Sequence, residues 1–489
     1  MGVPPSLRRW FDISQQPGAD PDPSDLGATP ADVQAMARIG RPQKLVRQFK
    51  GVSMWSFANT VMVSYITFIL LQATVFPLGG PPLLFWSFFV GAILFAIIYY
   101  AMSGLIARNP QAGGQMSWVL QYGPESWRHY LAYTQGWILV LGWHTYPALV
   151  CVTFTYVVNS ALLVGGMATP LSAGAQTGVS IGAACLAGLI NTKFLRLLSY
   201  LELLFGIVYV LLAILITFPV YALAPRRSAS DMFVNFRVFS TYDGDAIPIM
   251  QGGAIVLSMH IGPAVEEIKD AETTAPKALG ASYALNLALL FLVTLAVAMC
   301  GPDYDPEDPN LWLGYDPLTA VWITIDPKYA LGALWSMAGV LFFALVNELA
   351  CAARMTWSSA RDGVLPFSPW LAHTVDGIPI YAALSTVLST SGLMTMQLYS
   401  TVALAVINSL GAFAVLVSYV VLLSCVAYHR FRFPESETKG RLLANQPYIV
   451  PGIGAAGAAF MAICLALPLQ VPITAANMYD PTLSLPLVC

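Results

Sequence analysis

From Val52 onward the chain keeps returning to apolar runs close to the length that crosses a bilayer, about 20 residues in a helix. Hydrocarbon offers no water to backbone N–H and C=O groups. Such a chain must therefore fold as helices, and any irregular backbone at membrane depth must be buried in protein or line a wet cavity. Composition agrees: of 489 residues, 57% are hydrophobic and 10% charged, too few charges for a soluble surface of that size. The spacing predicts eleven spans, at about 52–76, 83–106, 131–160, 176–191, 198–223, 247–265, 278–299, 329–353, 380–398, 402–427 and 448–469. The expected fold class is an all-α polytopic membrane protein whose partner is the lipid bilayer. A cytoplasmic N-terminal tail is expected over 1–50, a transmembrane domain over 51–475 and a short C-terminal segment over 476–489.

The positive charges orient the chain. With the N-terminus cytoplasmic, nineteen of the 23 Lys and Arg residues fall on inner segments, and the outer ones hold Arg226, Arg227, Arg237 and Lys328. The outer loop from Gly301 to Lys328 carries Asp303, Asp305, Glu307, Asp308, Asp316 and Asp326, a field that would attract cationic solutes. The seven cysteines are scattered, and the five histidines form no H-E-x-x-H or other metal-spaced pair, so neither a metal, a cofactor nor an enzyme is expected. Nothing in the charge pattern points to nucleic acid.

Two spans are interrupted at corresponding places, five spans apart. The first reads "SMWSFANTVMVSYITFILLQATVF" and places Asn59, Thr60 and Ser64 in an apolar run. The sixth, "AIVLSMHIGPAVEEIKDA", places Ser258, His260 and a Gly262-Pro263 pair just ahead of Glu266 and Glu267. Matching interruptions in two halves point to an inverted repeat, with spans 1–5 and 6–10 as the two units and solute held near the midplane by half-helix ends. Polar residues that only hydrogen-bond between helices, and a Gly-Pro that only kinks one, would look the same in sequence.

Four motifs carry a family resemblance. "RNPQAGGQMSWVLQYGPESWRHYLAYTQGWILVLGW" (Arg108 to Trp143) and "RMTWSSARDGVLPFSPWL" (Arg354 to Leu371) resemble segments of the amino acid/choline permeases, mostly fungal, of the amino acid-polyamine-organocation superfamily. "VEEIKDAETTAPKAL" (Val265 to Leu279) and "VPITAANM" (Val471 to Met478) are similar to two further segments of that family. The resemblance implies a LeuT-like 5+5 inverted repeat with discontinuous helices 1 and 6. It also implies secondary transport of amino acids, GABA, choline, polyamines or related small amines, with protons as a coupling ion, across the plasma membrane. Relatives have twelve helices, so the twelfth is expected to be missing here, which admits a truncated, nonfunctional permease as an alternative. A non-transporting nutrient sensor is another.

Roles follow for particular residues. Unwinding around Ser258 to Pro263 would free backbone groups for a substrate carboxylate or ammonium, and His260 could bond the solute or rest as a buried imidazole. Glu348, deep in "FFALVNELACAARM", is expected to carry the coupling proton or pair with a cationic amine, unless it is a protonated acid bonded within the bundle. Glu202, by contrast, lies near the start of its span and can sit close to the cytoplasmic face. Trp137 and Trp143 are six residues apart and face different ways, so only one, taken as Trp143, could offer a cation–π wall, unless both serve as packing or interface anchors. Glu266, Glu267, Arg354, Arg361 and Asp362 share the inner side and could pair as an inner gate, although exposed pairs of that kind are weak.

Overall fold

The computed structural model describes residues 51–108, 114–261, 271–308, 311–398, 401–433 and 447–467, together with 29, 30, 33 and 34. Among these no strand forms, and the chain runs as helices: α1 (Gly51–Met62), α2 (Ser64–Arg108), α3 (Gly114–Tyr122), α4 (Arg128–Val164), α5 (Ala173–Lys193), α6 (Leu195–Leu223) and α7 (Ala229–Phe233). There follow α8 (Ala246–Ser258), α9 (Ala271–Cys300), α10 (Pro317–Ile325), α11 (Pro327–Arg361), α12 (Ser368–Leu371), α13 (Ile380–Met394), α14 (Thr401–Arg432) and α15 (Ile449–Ala466). Eight described segments are long and apolar enough to cross a membrane; one of them, Val52–Arg108, carries the first two predicted spans in a single run, and Ala246–Ser258 is apolar but shorter.

The first predicted interruption is present. Helix α1 stops at Met62, Val63 takes φ 38, and α2 starts at Ser64. A β-branched residue in the left-handed region is strained by about 1–3 kcal/mol and persists only where its surroundings hold it. Val63 is buried, so packing supplies that hold. Helix α2 then bends where the first span meets the second: Gly79 and Gly80 leave the helical region, with Gly80 at φ 67, and Pro81 and Pro82 follow. Only glycine adopts Gly80's conformation at little cost.

The second interruption is a helix end. After Ser258, α8 tightens through three short turns, Met259 N–H to Val256 O, His260 N–H to Leu257 O and Ile261 N–H to Ser258 O. Gly262, Pro263, Glu266 and Glu267 lie outside the described residues, and α9 begins at Ala271.

The second, third and fourth predicted spans pack against the seventh, eighth and ninth. Helix α2 lies along α9, α4 along α11, and α5 along α13. His144 ties α4 to both neighbours, with its two ring nitrogens 2.6 Å from Ser389 Oγ on α13 and 2.7 Å from Thr356 Oγ1 on α11. Gln115, from the GGQ segment, is buried and accepts from Ser418 Oγ of α14 at 2.6 Å and from Gln135 Nε2 of α4 at 3.3 Å. That motif thus fastens α3 to the bundle.

Helix α1 is wedged among α6, α9 and α11. Its approach to α6 depends on Gly206, where an added Cβ would stand 1.9 Å from Ser56 Oγ and 3.0 Å from Ser56 Cβ. Ser56 Oγ cannot simply turn away, because it donates to the Glu202 carbonyl at 2.5 Å. Gly206→Ala should therefore destabilise the detergent-solubilised protein by about 1–3 kcal/mol, whereas Gly174→Ala, with nothing within 4 Å of the new Cβ, should not. Thermal unfolding of both variants, with Ser56→Ala added to relieve the first, checks the contact; equal melting temperatures for the two alanines would contradict it.

Candidate functional site

The break at Val63 is answered from α6. Tyr65 Oη donates to the Tyr209 carbonyl at 2.7 Å, the two rings lie 4.6 Å apart, and the Tyr209 hydroxyl is within hydrogen-bonding reach of the Ser64 and Tyr65 N–H groups. That hydroxyl in turn donates to Asn286 Oδ1 at 2.8 Å. The hydroxyl thus stands beside the start of α2, where free N–H groups and the positive dipole end lie.

Asn59 and Thr60, both predicted to meet solute, are held by neighbouring helices. Asn59 Oδ1 accepts from Ser282 Oγ at 3.0 Å and Asn286 Nδ2 at 2.7 Å, and its amide donates to the Trp55 carbonyl at 2.7 Å. Thr60 Oγ1 accepts from Asn347 Nδ2 at 2.7 Å and lies 3.1 Å from Glu202 Oε2. Ser64 is buried just past the break, and its hydroxyl has no hydrogen-bond partner.

Glu202, near the start of α6, is fully buried beneath α1, and its Oε1 has no hydrogen-bond partner. Position along the span does not reveal this burial, because it comes from α1 packing over that end of α6. A signal was available, since Glu202, Gly206, Tyr209 and Ala213 recur at helical spacing and form a buried small-and-polar stripe on an otherwise leucine-rich helix.

Asn347 and Glu348 are adjacent on α11 and so face different neighbours. Glu348 is 5% exposed. Its Oε2 has no hydrogen-bond partner, and neither does the buried hydroxyl of Tyr146 on α4, which lies within electrostatic reach of both Glu348 and Tyr419 of α14. Trp143, one turn before Tyr146, is buried with its ring centroid 5.5 Å from the tyrosine's. Helices α4, α11 and α14 thus bring a carboxylate, an unpartnered hydroxyl and aromatic rings within electrostatic reach of one another.

The remaining predicted residues separate. Ser258 Oγ donates back to Ile255 O at 2.7 Å on its own helix. His260 is buried on the α2 side, between Phe88 and Phe95 with ring centroids 5.6 and 5.9 Å away, and Tyr99 Oη donates to its carbonyl at 2.8 Å. Gly91 makes the room, for a Cβ there would stand 2.7 Å from the imidazole. Of the residues expected at an inner gate, Arg354 lies over the Phe57 ring of α1 at 5.8 Å, whereas Arg361 and its chain neighbour Asp362 pair at 3.5 Å, which joins no separate elements.

The outer acids are mostly engaged. Asp303 pairs with Arg227 and Arg237, each at 3.0 Å, and Asp326 caps the start of α11. Asp316 caps α10 through Thr319 N–H at 2.9 Å, is buried, and lies against Tyr156 of α4. Trp322 Nε1 pins the same short helix to the Ile216 carbonyl of α6 at 3.0 Å. The attractive field expected of this loop is correspondingly reduced.

A family model described as amino acid permease matches residues 49–481. An uncharacterized amino-acid permease of Schizosaccharomyces pombe is 25% identical over 407 residues, covering 81% of this chain and 74% of that one. The GABA-specific permease of Saccharomyces cerevisiae is 22% identical, over 74% of this chain and 65% of its own length, and an amino-acid permease of Arabidopsis thaliana is 21% identical over 91% and 90%. Among solved structures, a manganese transporter of Eremococcus coleocola overlaps 85% of each chain at 12% identity and TM-score 0.48, too distant to bear on cargo or topology.

Asp316 yields a pH prediction. Burial raises its carboxyl from the ordinary 3.8 to about 6, against the lowering effect of the Thr319 bonds. An acid whose value is higher in the docked state contributes stability below its free value, and that contribution is lost as pH rises through the docked one. Amide hydrogen exchange over 317–325, corrected for intrinsic rates, should show more protection at pH 5 than at pH 8, and Asp316→Asn should remove the difference. Equal protection at both values in the unmodified protein would contradict this.

Proposed function

The chain belongs to the amino acid permease family, and on that premise we propose that it moves a small primary amine, or an amino acid held by its ammonium, by alternating access across the plasma membrane. One observation carries the reading: Glu348 Oε2 and Tyr146 Oη are both buried and both lack a hydrogen-bond partner, on helices that face each other. Leaving such groups bare costs about 1–3 kcal/mol each, so their pairing by a guest would recover it. An ammonium brings three donors and a positive charge, and Trp143 adds an aromatic wall. Glu348 therefore serves as substrate anchor in this reading, in place of the coupling role the sequence also allowed.

The α1 break favours amines over carboxylates. A substrate carboxylate seeking the half-helix N-terminus would have to compete with the Tyr209 hydroxyl already there, and Val63, Ser64 and Tyr65 bring side chains where glycines would leave the backbone open. Choline, with no N–H to donate, would meet Glu348 through its charge and a single hydroxyl, and the aromatic faces through its methyl groups.

In proteoliposomes, labelled putrescine is expected to enter faster than GABA, and GABA faster than choline. Glu348→Gln should raise KM for putrescine by about tenfold or more, the size of one charged hydrogen bond, while the protein remains in the membrane. An unchanged KM would refute the anchor, and no flux of any amine or amino acid by the unmodified protein would refute transport.

A further inference from the structure

Glu202 is a second buried carboxylate, separate from the amine anchor. It stands where three helices meet. Its backbone carbonyl accepts from Ser56 Oγ, its Oε2 lies 3.1 Å from Thr60 Oγ1, and Asn347 Nδ2 donates to that same threonine at 2.7 Å. Ser56 and Thr60 belong to α1, the half-helix that Val63 disconnects from α2, and Asn347 belongs to α11. Helix α1 is therefore fastened to the bundle at its inner half by contacts that converge on one ionisable group.

The surroundings suit two charge states. Ionised, the carboxylate accepts the Thr60 proton on Oε2, with Arg354 of α11 as the charged group that bears on it among the described residues. From α1 it meets the hydroxyl of Thr60, Ser56 bonding only the Glu202 backbone carbonyl, and from α11 the amide of Asn347; the α9 residues nearby, Ser282 and Asn286, are engaged with Asn59 and Tyr209. Protonated on Oε2, the carboxyl donates to Thr60, and the threonine turns its own proton to the Ser56 or Phe57 carbonyl, 3.1 and 3.2 Å away. The threonine hydroxyl reverses direction while the heavy atoms stay in place. Bare Oε1, buried and without a partner, makes the charged state the costlier one in a dry interior.

Resting on the permease reading above, we propose that Glu202 takes up and releases the coupling proton, and that its charge state sets how firmly the inner half of α1 is held against α6 and α11. The step is a simple proton transfer: a carboxylate oxygen gains a proton from water on the proton-rich side, an O–H bond forms, and the same bond breaks when the opened inner half of α1 admits water from the other side. No cation other than the proton is required.

The test separates driven accumulation from exchange. Proteoliposomes are loaded with unlabelled putrescine to measure exchange, or left empty under an inward proton gradient to measure accumulation, each with sodium and then with potassium as the salt. The unmodified protein should do both and respond to the gradient equally in either salt. Glu202→Gln should exchange but lose at least tenfold of its gradient-driven accumulation, and Glu202→Asp, which keeps an ionisable group, should recover part of it. Thermal unfolding of each variant is measured alongside.

Full gradient-driven accumulation by Glu202→Gln would overturn the proposal, as would a requirement for sodium. Loss of exchange and accumulation together, whether the variant folds or not, would make Glu202 a structural bond and overturn it too. Because exchange by the unmodified protein is measured first, its absence would count against transport itself and not against Glu202 alone.

Discussion

A helix that loses its winding inside a bilayer must find partners for the peptide groups it frees, and the arrangement around α1 follows from that requirement. Val63 is held in a strained conformation, and the N–H groups beyond it meet a tyrosine hydroxyl from α6. That hydroxyl is oriented by Asn286, Asn286 by Asn59, and Asn59 by its own helix. The chain of bonds runs from α6 through α9 back to α1. Removing any member would leave a buried donor or acceptor unmet, so the break is conditional on the network, and the network gives α1 its position.

The polar groups near α1 and α11 fall into two sets with different chemistry. One set, built on Glu202, Thr60 and Asn347, is nearly complete in itself and joins α1, α6 and α11, elements that the proposed alternating access would separate. The other, built on Glu348 and Tyr146, is incomplete and aromatic-walled. Adjacent residues of α11, Asn347 and Glu348, serve one set each, so a rotation or shift of that helix would act on both. This is a physical route by which filling one site can bias the other, carried by a single rigid element and not by a relay of small displacements.

Much of the fold was legible because its determinants are local. Spanning length, the Gly-Pro after His260 and the run of Asn and Ser in the first span are properties of neighbouring residues, and they located both interruptions. The partners were not legible, because which face of which helix a polar residue meets depends on contacts far away in sequence. Asn59 and Thr60 read as solute ligands but are bonded across 223 and 287 positions to Ser282 and Asn347. His260 read as a solute ligand or a buried imidazole, and the space that receives it is opened by Gly91 on α2, far away in sequence. Glu202 was assigned by depth alone, and nothing nearby in sequence says that α1 lies over it. Asp316 looked like one acid among six in a polar loop; its role as a buried cap appears only when α10 docks.

The account stands on α1 being a separate body whose inner half moves about Val63. Spin labels at Val52 on α1 and Tyr130 at the start of α4, both well exposed, would report that motion directly. The distance between them in proteoliposomes, measured by double electron–electron resonance, should be single without substrate. With putrescine and a proton gradient it should split into two populations, the longer one reporting an open inner side. One unchanged distance under every condition would contradict a hinged α1 and, with it, the alternating-access account.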